Sequence, residues 1–173
     1  MTVAAVVLAA GEASRFGTPK QRLLLPEVLE RLEQSPVDEI VVVAGAHTLE
    51  TPAHVVTCAG WKRGPGASLA CGLEELGDDV EAAVVVLADG PDLAPEAVER
   101  VIDSWRADDG VIVAASYGGE RGHPLLVART DDLPSFDSAS RHQGAHRSRP
   151  VVAAGACVDL WRAAEFASDE HGR

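Results

Sequence analysis

Apolar residues fall into two alternating patterns along this chain. Unbroken apolar runs at Val3 to Ala10, Ile40 to Ala44, Ala82 to Ala88 and Val111 to Ala115 predict strands buried on both faces of a parallel sheet. Between them, apolar residues recur at helical spacing. Pro26 to Gln34 carries Val28, Leu29 and Leu32; Pro65 to Leu76 carries Leu69, Leu73 and Leu76; Ala94 to Trp105 carries Val98, Val101, Ile102 and Trp105 behind Pro95, which suits a first helical turn. His54 to Cys58 and Leu125 to Ala128 read as further extended segments, and Leu160 to Ala167 as a last helix. The alternation predicts an α/β fold: one doubly wound, mostly parallel sheet over residues 1–173. The stretch AGAHTLETPA is too short for a crossover helix, so either the crossover is a single turn or these strands pair less regularly. Asp131 to Arg149 is polar and irregular, which predicts a mobile loop.

Composition narrows the chemistry. With 46% hydrophobic but only 4% aromatic residues, the core must be packed from Ala, Val and Leu, and disorder is not expected. The formal net charge of -12 opposes nucleic acid and anionic membranes as partners, so an anionic ligand needs a local basic patch. Lysine occurs only at Lys20 and Lys62, and Lys20 lies just beyond the first strand. Cys58, Cys71 and Cys157 show no CxxC pairing; this predicts neither a zinc site nor a disulfide framework, and a reducing cytoplasm as location. No basic leader precedes the first apolar run and no stretch is long enough to span a bilayer, so a soluble protein is expected.

The segment VVLAAGEASRFGTPKQ, Val6 to Gln21, places glycines and the cations Arg15 and Lys20 after a strand. In an open α/β sheet ligands sit at the carboxyl ends of strands, and such a loop suits a nucleoside triphosphate. The pattern is neither GxGxxG nor GxxxxGK[ST], which removes the motif support for dinucleotide and P-loop readings.

Leu8-Ala-Ala-Gly11 with Arg15-Phe-Gly17 and Lys20 resembles LAAGxSxRFGxxK, the signature of MobA-like nucleotidyltransferases, most closely their molybdenum cofactor cytidylyltransferase branch. Gly64-Pro-Gly-Ala-Ser68-Leu69 with Gly72-Leu73, behind Trp61, is similar to GxxxSLxxGL; Leu87-Ala-Asp89-Gly-Pro91 is similar to LGDQP; Arg121-Gly-His-Pro124 is similar to an acceptor-side GxP motif. The resemblance implies a Rossmann-like fold of the nucleotide-diphospho-sugar transferase kind and Mg²⁺-dependent transfer of an NMP to a phosphorylated acceptor such as molybdopterin, with release of pyrophosphate. By the same resemblance Leu8, Ala9, Ala10, Gly11 and Ser68 would bind nucleotide, Arg15 and Lys20 would hold its phosphates, and Asp89 would be catalytic and bind Mg²⁺. Gly122, His123 and Pro124, in a turn ahead of their strand, would face the acceptor, and a molybdoenzyme maturation partner is implied. Ala10 points to CTP, because guanine-reading members begin LAGG. The lesser reading of Asp89 is a cap for a helix that begins near Pro91 or Pro95, and Asp92 suits a cap better than a ligand.

The chain departs from the family in three places, one of them the closing DIDTPEDL, which survives at most as Val158-Asp159-Leu160. Lys20-Gln-Arg-Leu-Leu-Leu-Pro26 runs straight into Glu27, which trims the first helix; the family's GDxGAR survives only as Gln143-Gly-Ala-His-Arg147, with Arg141 and His142 where Gly and Asp belong. Two further readings stay open: a non-catalytic nucleotide- or cofactor-binding relative that works with a partner enzyme, and a guanylyltransferase acting on a small acceptor such as phospholactate.

Overall fold

Strand β1 (Thr2–Ala9) is almost wholly apolar because both its faces are covered and both its edges are paired. Its even-numbered residues Ala4 and Val6 enter one core, and its odd-numbered residues Val3, Ala5 and Val7 enter the other, the period-2 consequence of a pleated strand. The structure, a computed structural model, describes residues 1–12, 20–90, 92–108, 111–117 and 120–129, and not the side chains of 20–22, 108, 120 and 121. Arg15, the polar stretch 131–149 and the expected helix at 160–167 lie outside these residues.

Six strands form one sheet: β1, β2 (Glu39–Ala44), β3 (His54–Thr57), β4 (Val80–Leu87), β5 (Ile112–Tyr117) and β6 (Glu120–Ala128), in the order β3-β2-β1-β4-β6-β5. The first four are mutually parallel, with Val6 opposite Val41 on one side and Val85 on the other. β6 pairs antiparallel with both β4 and β5. The apolar run at Val111 to Ala115 is therefore an edge strand that points the same way as β1 to β4 but pairs with the antiparallel β6, not with a parallel neighbour as its pattern predicts. Covered parallel and covered antiparallel strands present the same apolar run, so periodicity alone does not separate them.

Among the described residues, three helices cover the sheet. α1 (Lys20–Glu33) buries Leu25, Val28, Leu29 and Leu32, and α3 (Pro95–Asp108) buries Val98, Val101, Ile102 and Trp105. Both stripes follow i, i+3, i+4, i+7 and pack into one core with Val7, Val84 and Leu126. α2 (Pro65–Glu74) lies over the opposite face against β1, β2 and β3. Pro95 opens α3, as expected. Pro26 does not open α1: the helix starts at Lys20 and runs through the proline, because Leu25 is already needed in the core stripe. The β2–β3 connection forms no helix, and Leu49 within it is buried in the α1 core; β2 and β3 nevertheless pair parallel in unbroken register from Val41 opposite His54 to Ala44 opposite Thr57, so the link is an irregular loop and neither a single-turn crossover nor irregular pairing is needed.

A disulfide joins Cys58 to Cys71, with Cα atoms 5.7 Å apart, which corrects the expectation of no disulfide. Thirteen residues separate the two in sequence, but α2 folds back over the end of β3 and brings them together. A spacing rule tuned to CxxC does not register a pair made by tertiary packing.

Helix α2 approaches the sheet at Gly72. A Cβ at this position would come within 2.5 Å of Val6 Cγ1 and 2.8 Å of Val43 Cγ2, both on stiff side chains inside a close-packed layer. Gly72→Ala is expected to destabilise the protein by about 1–3 kcal/mol through overpacking. Gly90→Ala, whose Cβ would meet only the Leu87 carbonyl at 3.5 Å, should shift the urea midpoint little. Equal midpoints for the two variants would contradict this packing.

Candidate functional site

The chain leaves β1 toward β2 and β3 on one side and later returns to β4 on the other. That reversal opens a crevice between the carboxyl ends of β1 and β4, the usual ligand position in an open α/β sheet. Leu8 sits opposite Leu87, and the Ala88 amide donates to the Leu8 carbonyl at 3.1 Å. Gly11 and Asp89, both exposed, therefore leave the sheet side by side.

Contacts from neighbouring segments shape the loop after β1. Ala10 is buried, and its carbonyl accepts from the Ala46 amide at 3.2 Å. A Cβ on Gly45 would lie 2.8 Å from the Cβ atoms of both Ala10 and Trp61, so only glycine permits the segments after β1 and β2 and the turn ahead of α2 to meet there. The ring of His47 donates through Nε2 to the Glu12 carbonyl at 3.0 Å, which ties the end of the described loop to the segment after β2. Sequence reasoning missed Gly45 and His47. Their partners are distant in the chain, and no motif spans them.

Ser68 lies buried in the first turns of α2. A 3-10 turn, Trp61–Arg63, leads into Gly64, whose φ of 115° lies in the left-handed region that glycine tolerates. The Gly64 carbonyl accepts from the Ala67 and Ser68 amides at 3.2 and 3.4 Å. The glycine that the motif requires thus has a backbone reason: it turns the chain sharply from the 3-10 turn into the helix. Lys20 heads α1, and Arg15 lies outside the described residues.

On the far side of β4, Gly122, His123 and Pro124 are not a turn ahead of a strand but lie within β6. Ala114 pairs with Leu125 while Ala115 pairs with Gly122, which leaves His123 and Pro124 as a bulge without β5 partners. Such bulges re-aim side chains. The His123–Pro124 peptide is cis. The Tyr117 hydroxyl donates to the His123 carbonyl at 2.9 Å, satisfying an acceptor that the ladder leaves open. His123 Nδ1 donates to the Val85 carbonyl at 3.3 Å, which makes Nε2 the acceptor nitrogen of the neutral ring. Burial pushes the His123 pKa below its ordinary value of 6.5, against the opposing pull of the Val85 carbonyl and the negative charge of Asp89.

That coupling places Asp89 and His123 in one electrostatic neighbourhood. α3 begins at Pro95, so Asp89 stands too far ahead of it to serve as its cap. Among the described residues no cluster of three or more His, Cys, Asp or Glu is placed to hold a metal. A lone rim carboxylate suits Mg²⁺, which takes one or two protein carboxylates and fills its octahedron with phosphate oxygens and water. The structure thus brings together Leu8, Ala9, Ala10, Gly11, Asp89 and His123 around one crevice, with the start of α2 and Ser68 joined to it through Trp61 and Gly45.

Residues 5–158 match the family described as MobA-like NTP transferase domain, and the chain belongs to that family. Over 168 residues it is 34% identical to the bifunctional protein GlmU of Streptomyces avermitilis, covering 86% of this chain and 35% of the relative; the chain spans about a third of that relative's length. The crystal structure of Rv0371c from Mycobacterium tuberculosis H37Rv superposes with a TM-score of 0.70 at 29% identity, covering 92% of this chain and 91% of the other. A manganese complex of the Mycobacterium tuberculosis Rv0371c protein gives a TM-score of 0.63 at 27% identity, with 92% of both chains covered. The fold is accordingly the Rossmann-like α/β sheet of nucleotide-diphospho-sugar transferases.

The depressed pKa of His123 makes stability depend on pH. Above 6.5 the ring is neutral in folded and unfolded chains alike; as pH falls from 6.5 toward the lower folded value, the unfolded chain takes up the proton first, and stability is lost. A urea midpoint that declines between pH 7 and 5.5, with a shallower decline in His123→Asn, is expected. Parallel pH profiles for the two proteins would contradict the assignment.

Proposed function

We propose that this chain is a Mg²⁺-dependent nucleotidyltransferase that moves an NMP, CMP in preference, from an NTP to a phosphorylated acceptor such as molybdopterin and releases pyrophosphate. The observation that carries this reading is the crevice itself: the Gly11 loop and Asp89 emerge from paired strand ends, Leu8 opposite Leu87, with His123 in the field of Asp89. Membership of an NTP transferase family supports it. In this reading residues 1–173 act as one domain in the cytoplasm and hand the product to a molybdoenzyme maturation partner.

The roles follow from charge and reach. Backbone amides of Leu8 to Gly11 approach the nucleotide, whose base and ribose rest on this loop and on Ser68. Arg15 and Lys20 neutralise the β and γ phosphates and steady the departing pyrophosphate. Asp89 would hold Mg²⁺, which when bound would draw negative charge from the phosphate oxygens; that a similar protein forms a complex with manganese supports the use of a divalent ion. Gly122, His123 and Pro124 receive the acceptor. An acceptor phosphate oxygen forms a bond to the α-phosphorus as the bond from that phosphorus to the α–β bridging oxygen breaks, and the electron pair leaves with pyrophosphate. The protein's contribution is to hold these groups in line and to offset their charge.

Ala10 favours CTP in this reading. Its methyl group is buried and faces Gly45, and the preference rests on the resemblance of the opening LAAG to cytidylyl members, guanine-reading ones having glycine at this position.

Pyrophosphate release with CTP, Mg²⁺ and molybdopterin tests the reaction, and thermal shift with CTP, GTP or ATP tests the ligand. A nucleotide at about 100 times its Kd should raise stability by about 2.7 kcal/mol. Asp89→Asn is expected to lower turnover about 10²- to 10³-fold, the usual cost of one preorganised electrostatic group. Binding of CTP without pyrophosphate release would move the protein to the non-catalytic reading, and larger shifts with GTP would move it to the guanylyl one. No shift with any nucleotide and Mg²⁺ would remove the proposal.

A further inference from the structure

Cys58 and Cys71 close a covalent ring around the segment that carries Trp61, Gly64 and Ser68. Cys58 directly follows β3, where its amide donates to the Ala44 carbonyl at 2.9 Å, and Cys71 lies on α2. The ring includes Gly60, Gly64 and Gly66, so the enclosed chain has unusual backbone freedom to lose on ordering. A cross-link removes part of that freedom from the outset. Ser68 and Cys71 are three residues apart on the helix and share one side of it.

The two sulfur-bearing residues differ in access. Cys58 is 1% exposed, whereas Cys71 is only partly buried. An incoming thiolate therefore meets Cys71 first, while the buried partner is the natural leaving group. The bond joins the end of β3 to α2 within the core on that face of the sheet, and it also encloses the glycine-rich approach to the helix.

We propose that the Cys58–Cys71 bond is a thiol–disulfide exchange site, served by a dithiol reductant, that sets how firmly the 3-10 turn and the first turns of α2 are held beside the crevice. One thiolate of the dithiol attacks the sulfur of Cys71; the Cys58–Cys71 bond breaks, and Cys58 leaves as a thiolate and takes up a proton. The second thiol of the reductant then displaces Cys71, which is also protonated. The reductant ends as its own disulfide, two electrons and two protons having passed to the protein. Reduction frees residues 60–72 to fluctuate and weakens nucleotide binding; this last consequence alone rests on the function proposed above.

The test uses the full chain in its oxidised and dithiothreitol-reduced forms. After incubation with oxidised glutathione, alkylation of the denatured protein is expected to label one of its three cysteines, and all three after reduction. Native amide exchange over residues 60–72 should accelerate on the order of tenfold on reduction. Cys71→Ser should exchange like the reduced form and lose its response to dithiothreitol. Three labelled cysteines before reduction, equal exchange in the two forms, or a Cys71→Ser variant that still responds would each overturn the proposal. Mg²⁺-CTP affinity should fall about tenfold on reduction. Redox-dependent exchange without CTP binding in either form would count against the proposed function and leave the exchange site standing.

Discussion

The parallel pairing of β1 with β2 on one edge and β4 on the other is the constraint from which the rest follows. It forces β1 to be apolar on both faces, since helices must cover both sides of a strand so placed. It sets the reversal of strand order that opens the crevice, and the pairing of Leu8 with Leu87 delivers Gly11 and Asp89 to the same rim. The close seat of α2 at Gly72, against Val6 and Val43, belongs to the same layer. A shift of one residue in this register would exchange the two cores and send Asp89 away from Gly11.

Electrostatics at the rim is local rather than global. A chain with a formal net charge of -12 repels anions on average, so under the proposed function a triphosphate would have to be held by local groups: backbone amides, the few cations near the first strand, and an ion carried by Asp89. The burial of His123 adds a second element. It keeps the imidazole neutral near Asp89, so the β6 bulge presents a hydrogen-bonding nitrogen instead of a competing positive charge. Tyr117 and the bulge together hold it in place.

Much of this architecture was legible in the residues. The runs at Val3, Ile40 and Ala82 became strands, and the stripe Val98, Val101, Ile102, Trp105 became the buried face of α3, because burial on two faces or on one stripe leaves an unambiguous period. The spaced motifs placed Gly11 and Asp89 at strand ends. What failed to show depends on partners far along the chain. The antiparallel placement of β6 between β4 and β5, the bulge at His123, the Gly45 contact with Ala10 and Trp61 and the Cys58–Cys71 bond all arise from packing between distant segments. The start of α1 was hidden for a different reason: Pro26 is a strong local signal for a helix start, and the need to bury Leu25 overrides it.

The central claim is that the Gly11 loop and Asp89 together enclose a metal-bound triphosphate. It is tested most directly by titrating Mn²⁺-CTP into the ¹⁵N-labelled protein and following paramagnetic broadening of amide resonances. The account predicts early loss of the Gly11, Asp89 and Gly90 signals, while Gly77, at the opposite end of β4, persists. Broadening that spares Gly11 and Asp89, or that reaches Gly77 equally early, would contradict it.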